Sequence, residues 1–202
     1  SNWQGKKSLL SVILPESATT INSMAFYFCI NLSNIILPSS LIMINTNAFS
    51  YCYNLESVIF PASLAEIREN AFSYCSILKD IYIPSSLSEI SDFAFNSCAG
   101  PFIVDQDNPK YSSLEGVLFD KNQNSLIQFP SSLIGEYTVP SSVKTIESQA
   151  FLNCDSLTLV TIPEGIKTIS DYSFYDCNKL TSINIPSSVM AIEGFAFALC
   201  NK

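Results

Sequence analysis

The sequence predicts an α/β-type solenoid, a coil with a parallel β-ribbon along one side and short helical or 3₁₀ segments along another. Three observations carry this. A block reading Ala48-Phe49-Ser50-Tyr51-Cys52 returns 23 residues later as Ala71-Phe72-Ser73-Tyr74-Cys75. Prolines keep the same step at Pro15, Pro38, Pro61 and Pro84, and again at Pro140, Pro163 and Pro186. The residues before each proline alternate apolar and polar, as a half-buried strand does. A fixed period of this size means coils that bury their apolar sides only against their neighbours.

One unit runs Pro38-Ser-Ser-Leu41-x-x-Ile44-x-x-x-Ala48-Phe49-x-x-Cys52-x-x-Leu55-x-x-Val58-x-Phe60-Pro61. Val58 and Phe60, two apart, mark a strand. Equivalent strands are expected at 9–14, 32–37, 78–83, 157–162 and 180–185, with short ones at 102–104 and 137–139. Together they make eight parallel strands in one ribbon. Proline after each strand cannot donate to a ladder and ends pairing there. The serines that follow suit a turn. Ala-Phe-x-x-Cys, small and large apolar residues one turn apart, is expected to be the inward-packing helical or 3₁₀ segment. A small residue precedes phenylalanine in every coil, alanine in all but one and Ser173 in the exception.

One coil departs from the pattern. From Asp105, which stands where proline is due, to Pro140 is 35 residues, 12 more than the period. The extra length holds two apolar runs, 116–120 and 125–130, around the polar stretch Lys121-Asn122-Gln123-Asn124. This predicts a β-hairpin insertion, expected to replace the Ala-Phe-x-x-Cys side and to protrude from the convex flank. The whole of 1–202 is read as a single array, with regular repeats at 9–104 and 137–202 and the irregular hairpin-bearing coil at about 105–140.

The pattern Leu-x-x-Ile-x-Ile-Pro-x-x-Leu-x-x-Ile-x-x-x-Ala-Phe-x-x-Cys resembles the BspA-like, treponemal-type leucine-rich repeat from Leu9 to Cys200. A coil carrying Asn-Pro-x-Tyr-Ser-Ser and Gly-Val-Leu-Phe is similar to a variant of the same arrays. The resemblance implies a right-handed coil and a non-catalytic protein-binding module on a surface or secreted protein. Its partners would be host matrix proteins, host-cell proteins or microbial surface proteins. An intracellular, cytoplasmic protein–protein scaffold of the same fold is the alternative.

Composition narrows the chemistry. The 202 residues carry a net charge of −8 and no run of Lys and Arg, so the basic stripe that neutralises nucleic-acid phosphates is missing. No apolar run approaches the ~18 residues of a membrane span, and no direct membrane insertion is expected. The start, through Lys6-Lys7, has no apolar signal-peptide core, and Ser1-Asn2 has the look of a cloning remnant. There is no histidine, which removes Ser-His-Asp and Cys-His catalysis and His-ligated zinc. The chain is read as a non-enzyme that needs no cofactor and no metal.

Individual motifs read as repeat punctuation. Cys29, Cys52, Cys75, Cys98, Cys154, Cys177 and Cys200 share one slot and lack zinc spacing; they are expected to form a buried, reduced ladder. Ser141-x-x-Lys144 matches an acylating motif, but paired serines recur in that slot throughout. Asp105-Gln106-Asp107-Asn108 opens like a calcium loop but has Lys110 and Gly116 where glycine and glutamate are needed. Asn31-Leu32-Ser33 fits a glycosylation sequon at a strand entrance.

The expected binding surface is the outward side of the ribbon: Asn34, Ile36, Ser57, Ile59, Asp80, Tyr82, Leu159, Thr161, Ser182 and Asn184. The hairpin tip is the competing site. The last coil stops at Cys200-Asn201-Lys202, before its strand, and neither end shows a polar cap. The chain is therefore expected to be a segment of a longer array or to have its ends covered by another chain.

Overall fold

The computed structural model describes residues 3–201. Ser1, Asn2 and Lys202, on which the reading of the two ends partly rests, lie outside them. The chain packs as two compact units, Ser1–Lys110 and Tyr111–Lys202. In each, the coils have three sides, and each side is hydrogen-bonded to the same side of the next coil.

The first side is the expected parallel ribbon, in shorter pieces than the sequence implied. In the first unit Ser11–Ile13 pairs with Asn34–Ile36, and Asn34 bridges to Ser57. Farther on, Ile81–Ile83 pairs with Phe102–Val104. In the second unit Gly135–Thr138, Leu157–Thr161 and Ser182–Asn184 form one ladder. The expected strand around Val58 is thus reduced to a single bridge. The coil that runs short after Cys98 changes the pairing step farther on. Ile81 pairs with Phe102, 21 residues on rather than 23, and the Ile81 N–H bonds the Pro101 carbonyl at 3.0 Å. The backbone adjusts at Asp80, which adopts φ 49°. Gly100 makes this close approach feasible: a Cβ there would lie 2.6 Å from the Lys79 Cα.

The second side is a ladder of two-residue strands after the Leu41-type position. Thr20–Ile21, Met43–Ile44, Glu66–Ile67 and Glu89–Ile90 pair in order in the first unit. Thr168–Ile169 pairs with Ala191–Ile192 in the second.

The third side corrects the helical expectation. Among the described residues there is no helix, and Ala-Phe-x-x-Cys is a chain of tight turns. Within a coil, N–H groups close three-residue steps back: Ala48 to Asn45 and Cys52 to Phe49, both at 3.1 Å. The alternate N–H groups point to the next coil: Asn47 to Glu69 (3.0 Å), Phe49 to Ala71 (2.7 Å) and Tyr51 to Ser73 (2.8 Å). A helix would need those same donors for its own carbonyls. Asn47 and Tyr51 sit at φ 58° and 63°, the left-handed third position that marks type II turns. Every complete coil repeats the pair.

The hairpin is also placed differently. Val117–Asp120 runs antiparallel to Ser125–Gln128, as expected, but Tyr111–Leu114 adds a third antiparallel strand. Ser125–Gln128 then pairs in parallel with Thr145–Ile146. The insertion therefore occupies the second side, not the Ala-Phe-x-x-Cys side. Phe129 still fills the phenylalanine slot, stacking on Phe151 at 4.9 Å. Val117, Phe119 and Leu126 are buried in the core of the second unit, so the sheet is packed down and its exposed residues lie at its two turns, at Leu114 and Glu115 and at Lys121, Asn122 and Asn124. Alternation places the apolar side chains inward because a coil has no other apolar surface to offer.

The core is built in columns. Phe26, Phe49, Phe72 and Phe95 stack near-parallel at 5.1, 5.0 and 5.5 Å. Phe129, Phe151, Phe174 and Phe197 do the same at 4.9, 4.7 and 5.3 Å. Alanine beside them is buried and leaves room for the turn backbone. Six of the seven cysteines are buried and Cys200 is half-buried.

Candidate functional site

In the first unit, inward and outward residues alternate along the strands of the ribbon. Asn34 and Ile36 flank the buried Ile35; Ser57 and Ile59 flank the buried Val58. Tyr82 lies exposed between the buried Ile81 and Ile83. Asp80 is exposed but sits at the left-handed bend before its strand rather than in the ladder. In the second unit Ser182 and Asn184 are exposed, whereas Leu159 and Thr161 are half-buried. Register joins Leu159 to Ser182 and Thr161 to Asn184. The six expected residues of the first unit and the four of the second thus form two groups, one per unit.

The two groups differ in character. In the first unit one outward position is apolar in five successive coils: Ile13, Ile36, Ile59, Tyr82 and Ile103, exposed by 76, 52, 84, 43 and 48%. Pairing sets Ile13 beside Ile36 and Tyr82 beside Ile103. The corresponding position in the second unit reads Thr138, Thr161 and Asn184, and the Asn184 amide donates to the Thr161 hydroxyl at 3.2 Å. Ile13 and Ile103 were missing from the sequence-derived set. They were legible, since both stand two residues before the proline slot, filled by Pro15 and Asp105.

Between coils of the first unit the apolar column deepens into a groove of about 480 Å³. Ile36, Leu37, Ile59 and Pro61 line it, with Asn34, Ser57, Ser39 and Glu16 at its margins. It opens where the ladder ends after Ser57. The Glu16 carboxylate accepts the Ser39 N–H at 3.1 Å and its hydroxyl at 3.0 Å. At the other end of the column Asp105 accepts the Tyr82 hydroxyl at 2.7 Å and the Asp107 N–H at 2.9 Å. The bond to Asp105 is the main cause of a Tyr82 pKa raised above the ordinary phenol value.

A second cluster, half-buried with Phe28 and Tyr53 exposed, was missed entirely. Tyr27, Phe28, Tyr51, Tyr53 and Tyr74 gather on the turn side of the first unit, with Tyr51 stacked on Tyr74 at 4.9 Å and edge-on to Tyr27 at 5.6 Å. Burial, then Tyr74 and Tyr27, raises the Tyr51 pKa. The sequence signal was an aromatic immediately before the cysteine in three consecutive coils, Phe28, Tyr51 and Tyr74.

The other motifs have structural roles. Each regular thiol donates to the phenylalanine carbonyl of the preceding coil: Cys52 to Phe26, Cys75 to Phe49 and Cys98 to Phe72, all at 3.2 Å, and Cys177 to Phe151 at 3.1 Å. Burial raises the Cys52, Cys75 and Cys98 thiols, to about 12 at Cys52. Lys144 reaches only the Ser141 backbone carbonyl, at 3.5 Å. In the calcium-like loop Asn108 is buried, and its amide donates to Pro84 and Leu87 carbonyls at 2.7 and 2.9 Å. No three His, Cys, Asp or Glu gather as a metal set among the described residues. The Asn31 amide nitrogen of the sequon donates to the Lys7 carbonyl at 2.7 Å. No described helix is long and apolar enough to cross a membrane.

A stack of 23-residue coils with proline-terminated ribbon strands defines a repeat protein of the leucine-rich class. The chain belongs to the BspA-type leucine-rich repeat family, whose repeat region matches in six copies across residues 2–125 and 127–202. No curated protein matches it. Among solved structures it is similar to the pneumococcal vaccine antigen PcpA, at 26% identity and a TM-score of 0.73 over 89% of this chain and 51% of that one. It is also similar to a T. pallidum leucine-rich repeat protein, at 30% identity and a TM-score of 0.50 over 91% of this chain and 73% of that one. A leucine-rich cell surface protein of Faecalibacterium prausnitzii shares the fold at 24% identity and a TM-score of 0.65, over 95% of this chain and 71% of that one. The chain spans about half the length of PcpA.

Proposed function

We propose that this chain is a non-catalytic protein-binding module of a surface or secreted protein, and that it binds through the ribbon of its first unit. The observation that carries the reading is the apolar column from Ile13 to Ile103. Five large apolar side chains held outward at one position exceed what β-propensity alone requires, because the same position in the second unit is Thr, Thr and Asn. Rigid apolar and aromatic anchors of this kind dominate interface energies. The similarity to a vaccine antigen, a protein that antibodies must reach, supports the surface setting over an intracellular scaffold. Host matrix, host-cell and microbial surface proteins are the partner classes proposed.

The test is capture from extracellular-matrix and host-cell-surface extracts, comparing the native protein with an Ile59→Ala/Tyr82→Ala double variant. A partner retained by the first and lost by the second, with unchanged thermal unfolding, supports the reading. Equal capture by both removes the ribbon from it.

A further inference from the structure

The apolar column of the first unit ends in two fixed carboxylates, and their spacing specifies a ligand. Glu16 follows the strand of the first coil and is held by Ser39 of the next. Asp105 follows the strand four coils later and is held by Tyr82 and the Asp107 N–H. Both stand on the same rim, just past the ends of the strands that carry Ile13 and Ile103. Each takes the slot of, or adjoins, a proline. The residues after the strands in the intervening coils are Pro38-Ser39, Pro61-Ala62 and Pro84-Ser85, all uncharged, and Asp107 adds a third negative charge beside Asp105. The nearest cation to this rim in the sequence is Lys110, three residues past Asp107. The opposite edge of the ribbon carries Glu56, Lys79 and Asp80.

Four coil steps at ~4.8 Å separate the backbones of Glu16 and Asp105 by about 19 Å. An extended chain advances about 3.3 Å per residue, so it covers that distance in about six residues. Building on the reading of this ribbon as a binding surface, we infer that its partner is an extended polypeptide segment with two cationic side chains about six residues apart and apolar side chains between them. The segment lies along the column. Its lysines or arginines meet Glu16 and Asp105, and an apolar residue enters the groove between Ile36 and Ile59. The carboxylates are set in place before binding by bonds to the protein itself, so ordering them costs the complex little. The apolar groove between them supplies contact area, and the charges fix the register.

The experiment uses fluorescent peptides and the full chain. The probe is Lys-Ser-Leu-Ser-Leu-Ser-Lys, with comparison peptides in which both lysines become glutamates, both leucines become serines, or the lysines stand three apart. Anisotropy should show the probe binding about tenfold or more tighter than each comparison at low salt, with the advantage over the glutamate peptide shrinking as salt rises. Glu16→Gln/Asp105→Asn, which removes both charges while leaving each side chain one acceptor oxygen, should weaken the probe about tenfold and leave the serine-leucine discrimination in place. Equal binding of the glutamate or three-apart peptide, equal binding of the leucine-free peptide, or no binding of any peptide at millimolar concentration overturns the inference. A captured protein that needs Ile59 and Tyr82 but ignores the Glu16/Asp105 double variant would overturn it while leaving the binding surface itself standing.

Discussion

At the scale of the residue the cysteine slot is the most informative position. Phe49 O accepts both the Cys52 N–H (3.1 Å) and the Cys75 thiol (3.2 Å). A weak donor of small volume that tolerates burial is what the site requires, and cysteine supplies it. Cys75→Ala leaves that carbonyl with one partner and is expected to cost about 1 kcal/mol. Cys75→Asp puts an unpaired carboxylate into the core and is expected to cost about 4 kcal/mol or more by urea unfolding. Burial of the neutral thiols also sets a pH dependence. Their pKa values are raised in the folded chain, chiefly by desolvation. The stabilisation is fully present below the ordinary thiol value of 9.0 and is lost as pH rises toward about 12 at Cys52. Thermal midpoints should therefore fall above pH 9, and less steeply in a Cys52→Ala variant. A fall of the same slope in that variant would assign the effect to other groups.

At the scale of the element the turn side is the instructive case, because the sequence reading erred there. Ala-Phe-x-x-Cys has the same apolar spacing whether it closes a helical turn or two tight turns. What separates them is the left-handed backbone, whose usual marker is glycine. Here those positions hold Asn47, Tyr51, Asn70, Tyr74, Phe93 and Ser97. Asparagine is a faint signal; tyrosine and phenylalanine are none. The rung-to-rung bonds override the local preference. Asn47→Gly should leave stability within about 0.5 kcal/mol, whereas Asn47→Val should lose about 1–2 kcal/mol by placing a β-branched residue at φ 58°. Similar losses for both would mean that the Asn47 side chain, not the backbone, matters. The strands and the period were legible because proline and alternation mark them directly. The shortened pairing at Val58 was not, since residues 55–60 carry the same alternation and proline as the strands that pair fully.

At the scale of the whole molecule the sequence disclosed the repeat, its family and the outward residues of the ribbon. The contrast between the apolar column of the first unit and Thr138, Thr161 and Asn184 in the second stood in the slot two residues before each proline slot, but it emerges only when that slot is compared coil by coil. The aromatic cluster around Tyr51 was hidden by the same repetition that revealed the fold. The binding surface can be separated from its competitor by two variants. Ile59→Ala/Tyr82→Ala should weaken a ribbon partner by about 2 kcal/mol or more. Shortening the 121–124 turn should leave affinity unchanged, since its exposed tip lies outside the first unit's ribbon. The reverse result would move the site to the turn.

The rung-to-rung bonds of the turn side share one direction. Met24 to Thr46, Phe26 to Ala48 and Phe28 to Ser50 in the first unit, and Gln149 to Asp171, Phe151 to Ser173 and Asn153 to Tyr175 in the second, all run from an earlier N–H to a later carbonyl. Aligned peptide groups sum their dipoles, as they do in an α-helix. Here the polarity is opposite to a helix's: carbonyls face the N-terminal side of each unit, so positive charge is favoured there. Lys6 and Lys7 stand at that side of the first unit, where Gly5 N–H meets the Tyr27 carbonyl at 2.7 Å. Lys7→Glu should destabilise this unit by about 0.5 kcal/mol at low ionic strength, and salt should erase the difference. Each unit, with no helix among the described residues, thus acquires an electrostatic axis along its turn side.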